Sequence, residues 1–183
     1  MSEQQFKGQK LLVIGGTSGI GLETAKKVAE QGGTVVIVGN RADKAETARK
    51  QLVAITSEEQ VFALTADLTN FDSVQKLISK LDSEHKDINL LVNSAGIFYP
   101  KSFLEHSLSD YNNFLDLNRA FFFITQQVAS SMVAQNKEGS IVNVSAVAAR
   151  QAIETVTASA YSMAKMGLEA MTQRWIRKFE QLL

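Results

Sequence analysis

Tyr161 and Lys165 form the pair of residues whose types and spacing could do acid–base chemistry, in the stretch YSMAKMGLE. Residues four positions apart lie on one face of a helix, so both groups could meet the same ligand. A phenol held beside a fixed positive charge can give and take a proton near neutral pH. The alternative is an exposed amphipathic pair without chemistry, and the elements that position the pair decide between the two.

A glycine-rich stretch, Gly15–Gly21, follows the first apolar run and precedes a helical pattern. Glycine lets the backbone turn sharply and approach a ligand closely. The free N–H groups at a helix start, with the positive end of the helix dipole, suit a pyrophosphate. The spacing G-x-x-x-G-x-G differs from the commoner G-x-G-x-x-G, and any tight strand-to-helix turn can use glycine. The residues predicted to contact a dinucleotide here are Gly15, Thr17, Ser18, Gly19, Ile20 and Gly21.

The end of the second apolar run carries Asn40 and Arg41, and the next carboxylate is Asp43. In dinucleotide-binding folds a carboxylate at this place binds the 2′-hydroxyl of the adenosine ribose, whereas an arginine accommodates a 2′-phosphate. A planar, always-charged guanidinium suits a phosphate. We predict that Asn40 and Arg41 contact this ribose and that the cofactor is NADP(H), with NAD(H) as the alternative. A solvated Arg41 at the start of a helix is the interpretation without a ligand.

Two further apolar runs end in residues that could face the same ligand. A carboxylate after the third run could accept a hydrogen bond from the adenine amino group, or could cap the next helix. The fourth run ends in NSAG, where small residues would let a cofactor lie close to the sheet, although a plain turn has the same composition. The predicted contacts are Asp67, Leu68, Asn93, Ala95 and Gly96.

Short apolar runs alternate along the chain with longer segments of helical spacing. The predicted strands are 10–15, 34–39, 60–67, 88–96 and 139–146. The predicted helices are 21–31, 42–55, one capped by Thr69 or Asn70 and ending near 81, a long one opened by Ser109 and Asp110, and one from about 157 to the end. This alternation indicates an α/β fold with a Rossmann-like, doubly wound parallel sheet in three layers. Such sheets bind ligands beyond the carboxyl ends of their strands.

The composition excludes several classes of function. Nineteen Lys+Arg balance nineteen Asp+Glu, so the chain lacks the net positive charge that is typical of proteins that bind nucleic acid or an anionic membrane. It has no cysteine, and His85 and His106 stand in polar stretches without ligand spacing, so we predict surface histidines and no metal site. The apolar windows are too short to cross a bilayer, and the N-terminus does not read as a signal peptide. We therefore predict one cytoplasmic domain over residues 1–183.

The order of these motifs is the one found in short-chain dehydrogenases/reductases. From Lys7 to the end, the sequence resembles that family. The residues that carry the resemblance are Gly15, Gly19, Ile20, Gly21, Asp67, the NSAG stretch 93–96, Asn118, Ser145, Tyr161 and Lys165.

The resemblance implies a four-residue catalytic site for hydride transfer between the cofactor and a small-molecule carbonyl or alcohol. Tyr161 would be the general acid in carbonyl reduction and the base in alcohol oxidation. Lys165 would bind the nicotinamide ribose and, with the positive nicotinamide, lower the pKa of the phenol from its usual ~10. Ser145 would hydrogen-bond the substrate oxygen. Asn118 would hold a water that relays protons to Lys165.

Three local features depart from the family pattern. Ile14 stands where a hydroxyl residue usually braces the glycine loop. Ser94 replaces the usual second asparagine. The step from Ser145 to Tyr161 is longer than is usual, so the segment between them is expected to bulge, unless Ser159 takes the serine role.

The chain also ends before the last two strands and the substrate-covering loop and helix of the family. The fifth strand, 139–146, would then be an apolar sheet edge, which invites pairing. Either the chain is part of a longer protein, or another subunit covers this edge, or the end is rearranged. The two helices that resemble dimer faces of the family favour a homodimer or homotetramer. Because the covering loop excludes water, we expect cofactor binding to survive better than turnover.

Two other classes of function compete with the oxidoreductase. The first is a nucleotide-binding module on the same fold, a redox sensor or regulator, which the short C-terminus favours. The second is a methyl transferase with a similar core, which would want an acidic residue where Asn40 stands and would leave Tyr161 and Lys165 unexplained.

Overall fold

The computed structural model describes residues 4–151 and 157–179 of the chain. The strands are β1 (Lys10–Ile14), β2 (Thr34–Gly39), β3 (Val61–Thr65), β4 (Leu90–Asn93) and β5 (Ser140–Asn143). The helices are α1 (Gly19–Glu30), α2 (Ala42–Val53), α3 (Phe71–Glu84), α4 (Leu108–Ala134) and α5 (Ser159–Phe179). Each predicted strand and helix is therefore present.

All five strands run parallel in the order β3-β2-β1-β4-β5. The register aligns Leu12 of β1 with Val36 of β2 and Leu91 of β4. Every residue of β1 is buried, as expected for a central strand covered on both faces. Strands β2 and β3 are added on one side of β1, and β4 and β5 on the other, so the strand order reverses between β1 and β4. The carboxyl ends of these two strands are therefore the expected ligand crevice. The prediction of a doubly wound parallel sheet is confirmed.

Alternate residues of β1 face two different helix layers. Leu12 and Ile14 belong to a core shared with α3, α4 and α5, whereas Leu11 and Val13 belong to a core shared with α1 and α2. Successive side chains of a strand point to opposite faces, so this alternation produces the three-layer arrangement. Each fully buried aliphatic side chain contributes about 1.5–3 kcal/mol.

The predicted start of the long helix was wrong by one residue. Ser107 is the N-cap of α4: its hydroxyl accepts a hydrogen bond from the Asp110 N–H at 3.2 Å, and the Asp110 carboxylate accepts from the Ser107 N–H at 2.8 Å. This reciprocal capping box moves the first helical residue to Leu108. Of the two residues predicted to cap α3, Asn70 does so by accepting from the Ser73 N–H.

The prediction that both histidines lie on the surface was wrong for His85, which is 4% exposed. It follows the last turn of α3, and its ring packs edge-on against Phe62 with the ring centroids 5.0 Å apart. The polar residues beside it in the sequence point outward, so the local composition concealed an inward-facing side chain.

The strand β5 is an edge of the sheet in the described residues, as predicted. Ile141 and Asn143 are partly buried, whereas Ser140 is exposed and Val142 is 50% exposed. The predicted bulge after β5 falls partly on residues 152–156, which lie outside the described residues. None of the helices in the described part of the chain is long and apolar enough to cross a membrane.

Candidate active site

Tyr161 and Lys165 lie on α5 and face one narrow pocket together with the end of β4 and the middle of α4. The helix spacing that the sequence predicted therefore does bring the phenol and the ammonium to one place. The pocket is lined by Ala95, Gly96, Ile97, Phe114, Leu117, Asn118, Phe121, Tyr161, Ala164 and Lys165.

The ring of Tyr161 is held between two other aromatic rings. Its centroid lies 5.0 Å from that of Phe98 and 5.8 Å from that of Phe114, both in edge-to-face contact. Phe114 is buried, whereas Phe98 is 54% exposed. This apolar surrounding raises the pKa of Tyr161 above its usual value, because burial disfavours the phenolate. By itself, this chain therefore keeps the phenol protonated, in the form that a general acid needs.

The ammonium of Lys165 lies 5.9 Å from the centroid of the Tyr161 ring. It donates a hydrogen bond to the carbonyl oxygen of Val144 at 2.8 Å. Burial lowers the pKa of Lys165, because desolvation disfavours the charged form. The carbonyl of Val144, directly after β5, is thus the described partner of this ammonium.

Asn118 joins α4 to α5 at the level of the pocket. Its side-chain amide donates to the carbonyl oxygen of Ala164 at 2.6 Å. A Cβ atom at Gly167 would approach the Asn118 amide nitrogen to 3.2 Å, so glycine allows the two helices to lie this close. The amide N–H therefore positions α5, and the predicted water-holding role of Asn118 remains a prediction.

Ser145 is placed differently from the resemblance-based expectation. Its hydroxyl donates to the Glu169 carboxylate at 2.6 Å, and it does not line the pocket of Tyr161. The same carboxylate accepts from Arg150. Ser159, the alternative serine, is the first residue of α5 and is exposed. To donate a hydrogen bond to a substrate oxygen, the Ser145 hydroxyl would have to leave Glu169.

The glycine loop between β1 and α1 fits a dinucleotide pyrophosphate. Gly15 has φ of 86°, and a Cβ there would lie 2.5 Å from the backbone nitrogen of Ala95. Gly19 has φ of 54° with open space around it. Ser18 is the N-cap of α1 and makes no capping bond with its side chain. The loop is therefore tight against β4 on one side and leaves the N–H groups of the helix start accessible on the other.

The remaining loop residues close the crevice from the side of β2. Thr17 packs against Gly39, where a Cβ would meet the Thr17 side chain at 2.4 Å. Gly21 lies under the loop, where a Cβ would meet the carbonyl oxygen of Gly15 at 2.3 Å. Ile20 is 64% exposed, which leaves an apolar side chain facing the open side.

Ser94 braces the glycine loop, a role that was not predicted from the sequence. Its hydroxyl donates to the carbonyl oxygen of Ile14 at 2.9 Å. The N–H groups of Ser94 and Ala95 bond the same carbonyl, each at 2.8 Å. The brace that Ile14 cannot supply from its own side chain is therefore supplied from the end of β4.

Asn40 and Arg41 are both exposed at the end of β2. The Arg41 guanidinium bonds the Asp43 carboxylate in a two-pronged contact of 2.5 Å and 3.1 Å. This contact lowers the pKa of Asp43 and raises that of Arg41. The guanidinium thus points along the start of α2 with its charge partly balanced by a neighbour.

The predicted adenine contacts, Asp67 and Leu68, follow β3. Asp67 is exposed and accepts hydrogen bonds from the N–H and hydroxyl of Thr69 at 2.9 Å and 2.7 Å. It therefore fixes the turn before α3, while Asn70 caps the helix itself. Leu68 is buried against the core of the sheet.

The side chain of Asn93 is fully buried, and the contact of Asn93 with the cofactor remains a prediction. Its amide donates to Asn143 at 2.8 Å and to Thr125 at 3.0 Å, and so links β4 to β5 and α4. Ala95 and Gly96 do line the pocket of Tyr161. Gly96 has nothing within 4 Å of the position a Cβ would take, so the crevice is open there.

Besides Ser94, three supporting residues were not predicted from the sequence: Phe98, Val144 and Glu169. Glu169 had a signal, because it continues the spacing Tyr161, Lys165, Glu169 along one helix face. The carbonyl of Val144 had none, since a backbone acceptor leaves no trace in the residue type. In the described residues no cluster of three or more potential metal-ligating side chains occurs.

Comparisons with known proteins agree with this geometry. The family model for short chain dehydrogenases matches residues 9–181. The 2-dehydro-3-deoxy-D-gluconate 5-dehydrogenase of Formosa agariphila is 31% identical over 171 residues, which cover 91% of this chain and 62% of that relative. The 3-oxoacyl-(acyl-carrier-protein) reductase FabG of Aquifex aeolicus is 32% identical over 172 residues, covering 93% of this chain and 68% of the relative.

A solved structure described as a short chain dehydrogenase/reductase family protein has a TM-score of 0.86 and 34% sequence identity. The match covers 97% of this chain and 71% of that one. This chain thus spans roughly two thirds of the length of the relatives it matches. With the glycine loop, the strand order and the Tyr161–Lys165 helix in place, the chain belongs to the short-chain dehydrogenase/reductase family of NAD(P)-dependent oxidoreductases.

Proposed function

We propose that this chain transfers a hydride between NADP(H) and a small-molecule carbonyl or alcohol, with Tyr161 as the general acid and base. The observation that carries the proposal is the convergence of Tyr161 and Lys165 on one pocket at the carboxyl end of β4. This is the end of the sheet where the strand order reverses and where a dinucleotide would lie.

Different residues of the crevice suit different parts of a dinucleotide. Backbone N–H groups at the start of α1 suit the pyrophosphate, and Ala95 and Gly96 leave room beside the sheet for the nicotinamide half. Lys165 and Tyr161 line the same pocket as Ala95 and Gly96, which supports a contact of both with the nicotinamide ribose. The nicotinamide, when bound, supplies the hydride chemistry, and the protein supplies alignment and proton transfer.

The proton step belongs to Tyr161. In carbonyl reduction its O–H donates to the substrate oxygen as negative charge develops there, and in alcohol oxidation the phenolate accepts the proton. Since burial raises the pKa of Tyr161, the oxidation direction needs a positive charge close to the phenol. Lys165 is the cation on the same helix face that would supply it.

The preference for NADP(H) rests on Arg41. Its guanidinium is exposed at the end of β2 and is held by Asp43, close to where the adenosine ribose of a bound dinucleotide would lie. A 2′-phosphate would compete with Asp43 for the guanidinium, and two-pronged phosphate binding is a property of arginine. NAD(H) is the alternative, and substitution of Arg41 distinguishes the two.

A nucleotide-binding module without turnover is the second candidate, and one observation favours it. The Ser145 hydroxyl, which the resemblance implies for substrate binding, donates to Glu169. A chain of this kind would bind NADPH and reduce no carbonyl compound.

Tyr161→Phe tests both candidates. We expect NADPH affinity, measured by fluorescence titration, to change less than about twofold, since the ring contacts remain. Carbonyl reduction, followed in single turnovers over a broad panel of ketones and aldehydes, should fall about 10²–10⁴-fold. An unmodified chain that binds NADPH and reduces nothing on the panel would support the module instead.

A homodimer or homotetramer is proposed from the exposed apolar residues of α4 and α5. Phe122 and Phe123 on α4 and Met163 and Met166 on α5 are each 36–47% exposed. Aromatic residues and methionine are enriched at protein interfaces. Light scattering coupled to gel filtration measures the state directly, and a monomer at micromolar concentration would contradict the proposal.

A further inference from the structure

Three consecutive residues at the end of β5, 143–145, bond to one face of α5. Their partners are Lys165, Glu169 and Thr172, which are separated by four and three positions. Residues with these separations lie above one another on a helix. The strand end is therefore fastened to the face of α5 that carries the proposed catalytic ammonium.

Two of these three bonds are made by side chains of residues 143–145 and one by the backbone of this segment. Asn143 donates its amide to the Thr172 hydroxyl at 2.9 Å, and Ser145 donates its hydroxyl to Glu169 at 2.6 Å. The carbonyl of Val144, which lies between them, accepts from Lys165 at 2.8 Å. The position of the Lys165 ammonium thus depends on where the backbone of Val144 is held.

Glu169 binds two residues of the segment that follows β5, Ser145 and Arg150. One carboxylate oxygen accepts from the Ser145 hydroxyl and the other from the Arg150 guanidinium. The Glu169 side chain is 14% exposed, whereas that of Arg150 is 69% exposed, so the carboxylate is the enclosed partner. These two bonds hold the pKa of Glu169 below its usual value. The carboxylate is therefore ionised at neutral pH and bonded to both ends of the turn after β5.

We propose that Glu169 is a positioning residue for Lys165: by holding Ser145 and Arg150 it fixes the backbone of Val144, on whose carbonyl the ammonium rests. The importance of Lys165 rests on the proposed function, but none of the contacts that carry this inference involves cofactor or substrate.

The proposal predicts a change in the Lys165 pKa that a purely structural role of Glu169 would not cause. In Glu169→Ala the turn after β5 loses both bonds, the Val144 carbonyl moves, and the ammonium loses an acceptor in a site where burial already lowers its pKa. The Lys165 pKa should then fall further, by about half a pH unit to one pH unit. Glu169→Gln keeps an acceptor for Ser145, so it should produce a smaller fall.

When the Lys165 pKa is compared between variants, the charges of the other groups near Lys165 must stay the same. Tyr161 is the titratable neighbour on the same helix, and Arg150 pairs with Glu169. The elements opposite present neutral groups to the pocket, Asn118 from α4 and residues 95–97 after β4. Arg150→Gln removes the charge of the Arg150 guanidinium and leaves the bond between Ser145 and Glu169.

The experiment is an NMR titration of the lysine side chains of the cofactor-free chain, with the Lys165 signal assigned by Lys165→Met. Gln127→Ala is the matched control, because it removes a 2.9 Å bond between α4 and Asp82 of α3 at a distance from α5. We expect the Lys165 pKa to fall in Glu169→Ala, to fall less in Glu169→Gln, and to stay unchanged in Gln127→Ala.

The proposal would be overturned if Glu169→Ala, Glu169→Gln and Gln127→Ala lowered thermal stability equally and left the Lys165 pKa unchanged. Glu169 would then have only a structural role. If Glu169→Ala does not fold, Glu169→Gln and Ser145→Ala carry the same test. Failure of the proposed function would show separately, as a chain that neither binds NADPH nor reduces carbonyl compounds while the Lys165 titration still responds to Glu169.

Discussion

The two ends of the parallel sheet differ: polar groups bond to one another at the amino ends of the strands, whereas the carboxyl ends border open space. At the amino ends of the strands, the Lys10 N–H donates to Asn89 at 2.9 Å, and Asn89 donates to the carbonyl of Glu138 at 3.2 Å. The Lys10 ammonium pairs with Asp87 at 2.7 Å. At the carboxyl ends, Gly19 and Gly96 face open space.

This difference separates stability from function within one fold. The amino end binds its buried polar groups to one another, so substitutions there should lower stability without affecting a ligand. The carboxyl end leaves backbone N–H groups and the Tyr161 phenol at a crevice and an exposed guanidinium, that of Arg41, after β2. Substitutions there should affect ligand binding or turnover. Four substitutions test this separation.

The largest effect is expected at Gly15, where Gly15→Ala adds a Cβ 2.5 Å from the Ala95 nitrogen at a positive φ of 86°. Strain and overpacking should together cost roughly 2–4 kcal/mol of unfolding free energy, and NADPH affinity should fall because the loop must shift. Urea denaturation and fluorescence titration measure the two.

Gly8→Ala is the matched control for Gly15→Ala. Gly8 has a similar φ of 78° but nothing within 4 Å of its Cβ position. It should show only the conformational cost of about 1–2 kcal/mol and normal NADPH affinity. Equal behaviour of the two variants would mean that the close approach to Ala95 has no consequence.

At the opposite end of the sheet, Asn89→Ala should cost about 1–3 kcal/mol of unfolding free energy. It leaves the buried Lys10 N–H and the carbonyl of Glu138 without their partner. NADPH affinity should be unchanged under conditions where the variant is folded. Asn112→Ala, at an exposed position of α4, is the control for the substitution type. A lost affinity for NADPH would argue against the separation of the two ends.

Arg41→Ala should weaken NADPH binding about tenfold to a hundredfold and leave NADH binding unchanged, because only NADPH carries the 2′-phosphate. Arg49→Ala is the control: it removes the same charge from α2, where Arg49 pairs with Glu46 and Glu58. Equal weakening by both variants would indicate a general effect of charge, and no weakening would remove the reason to prefer NADP(H).

The smallest effect is expected at His85, as a change in pH dependence. Burial is the main cause that lowers the pKa of His85, so the folded state binds its proton less readily than the unfolded chain. Stability should therefore fall as the pH drops below about 6.5, by at most about 1.4 kcal/mol per pH unit, until the folded pKa is reached.

His85→Phe should remove this part of the acid sensitivity, which is measured as the urea midpoint between neutral pH and pH ~5. His106→Gln, which replaces the other histidine, is the control. An unchanged pH profile in His85→Phe would show that other groups cause the loss of stability in acid.

Much of the fold could be predicted because its signals are local. Apolar runs, glycine turns and helical spacing gave five strands and five helices, and their alternation predicted the parallel sheet. The errors arose where a contact decided the outcome. The capping box moved the start of α4 to Leu108, and contact with Phe62 buried His85. Neither contact follows from the polarity of the neighbouring residues.

The candidate site divides in the same way. The helix carrying Tyr161 and Lys165 and the glycine loop depend on spacing, and the structure brings them to the same end of the sheet. Residues whose roles depend on long-range bonds were less predictable. Asn93 is enclosed by α4 and β5, and the Ser145 hydroxyl donates to a carboxylate on α5.

The sequence by itself determined the order of strands and helices, the place of the glycine loop and the helical face shared by Tyr161 and Lys165. These follow from periodicity and from backbone freedom at glycine, which act over a few residues. Only the tertiary structure decided which partner each polar side chain bonds and in which direction its pKa moves. Hydrogen bonding and desolvation depend on atoms brought together from distant parts of the chain, and residue order alone does not specify those distances.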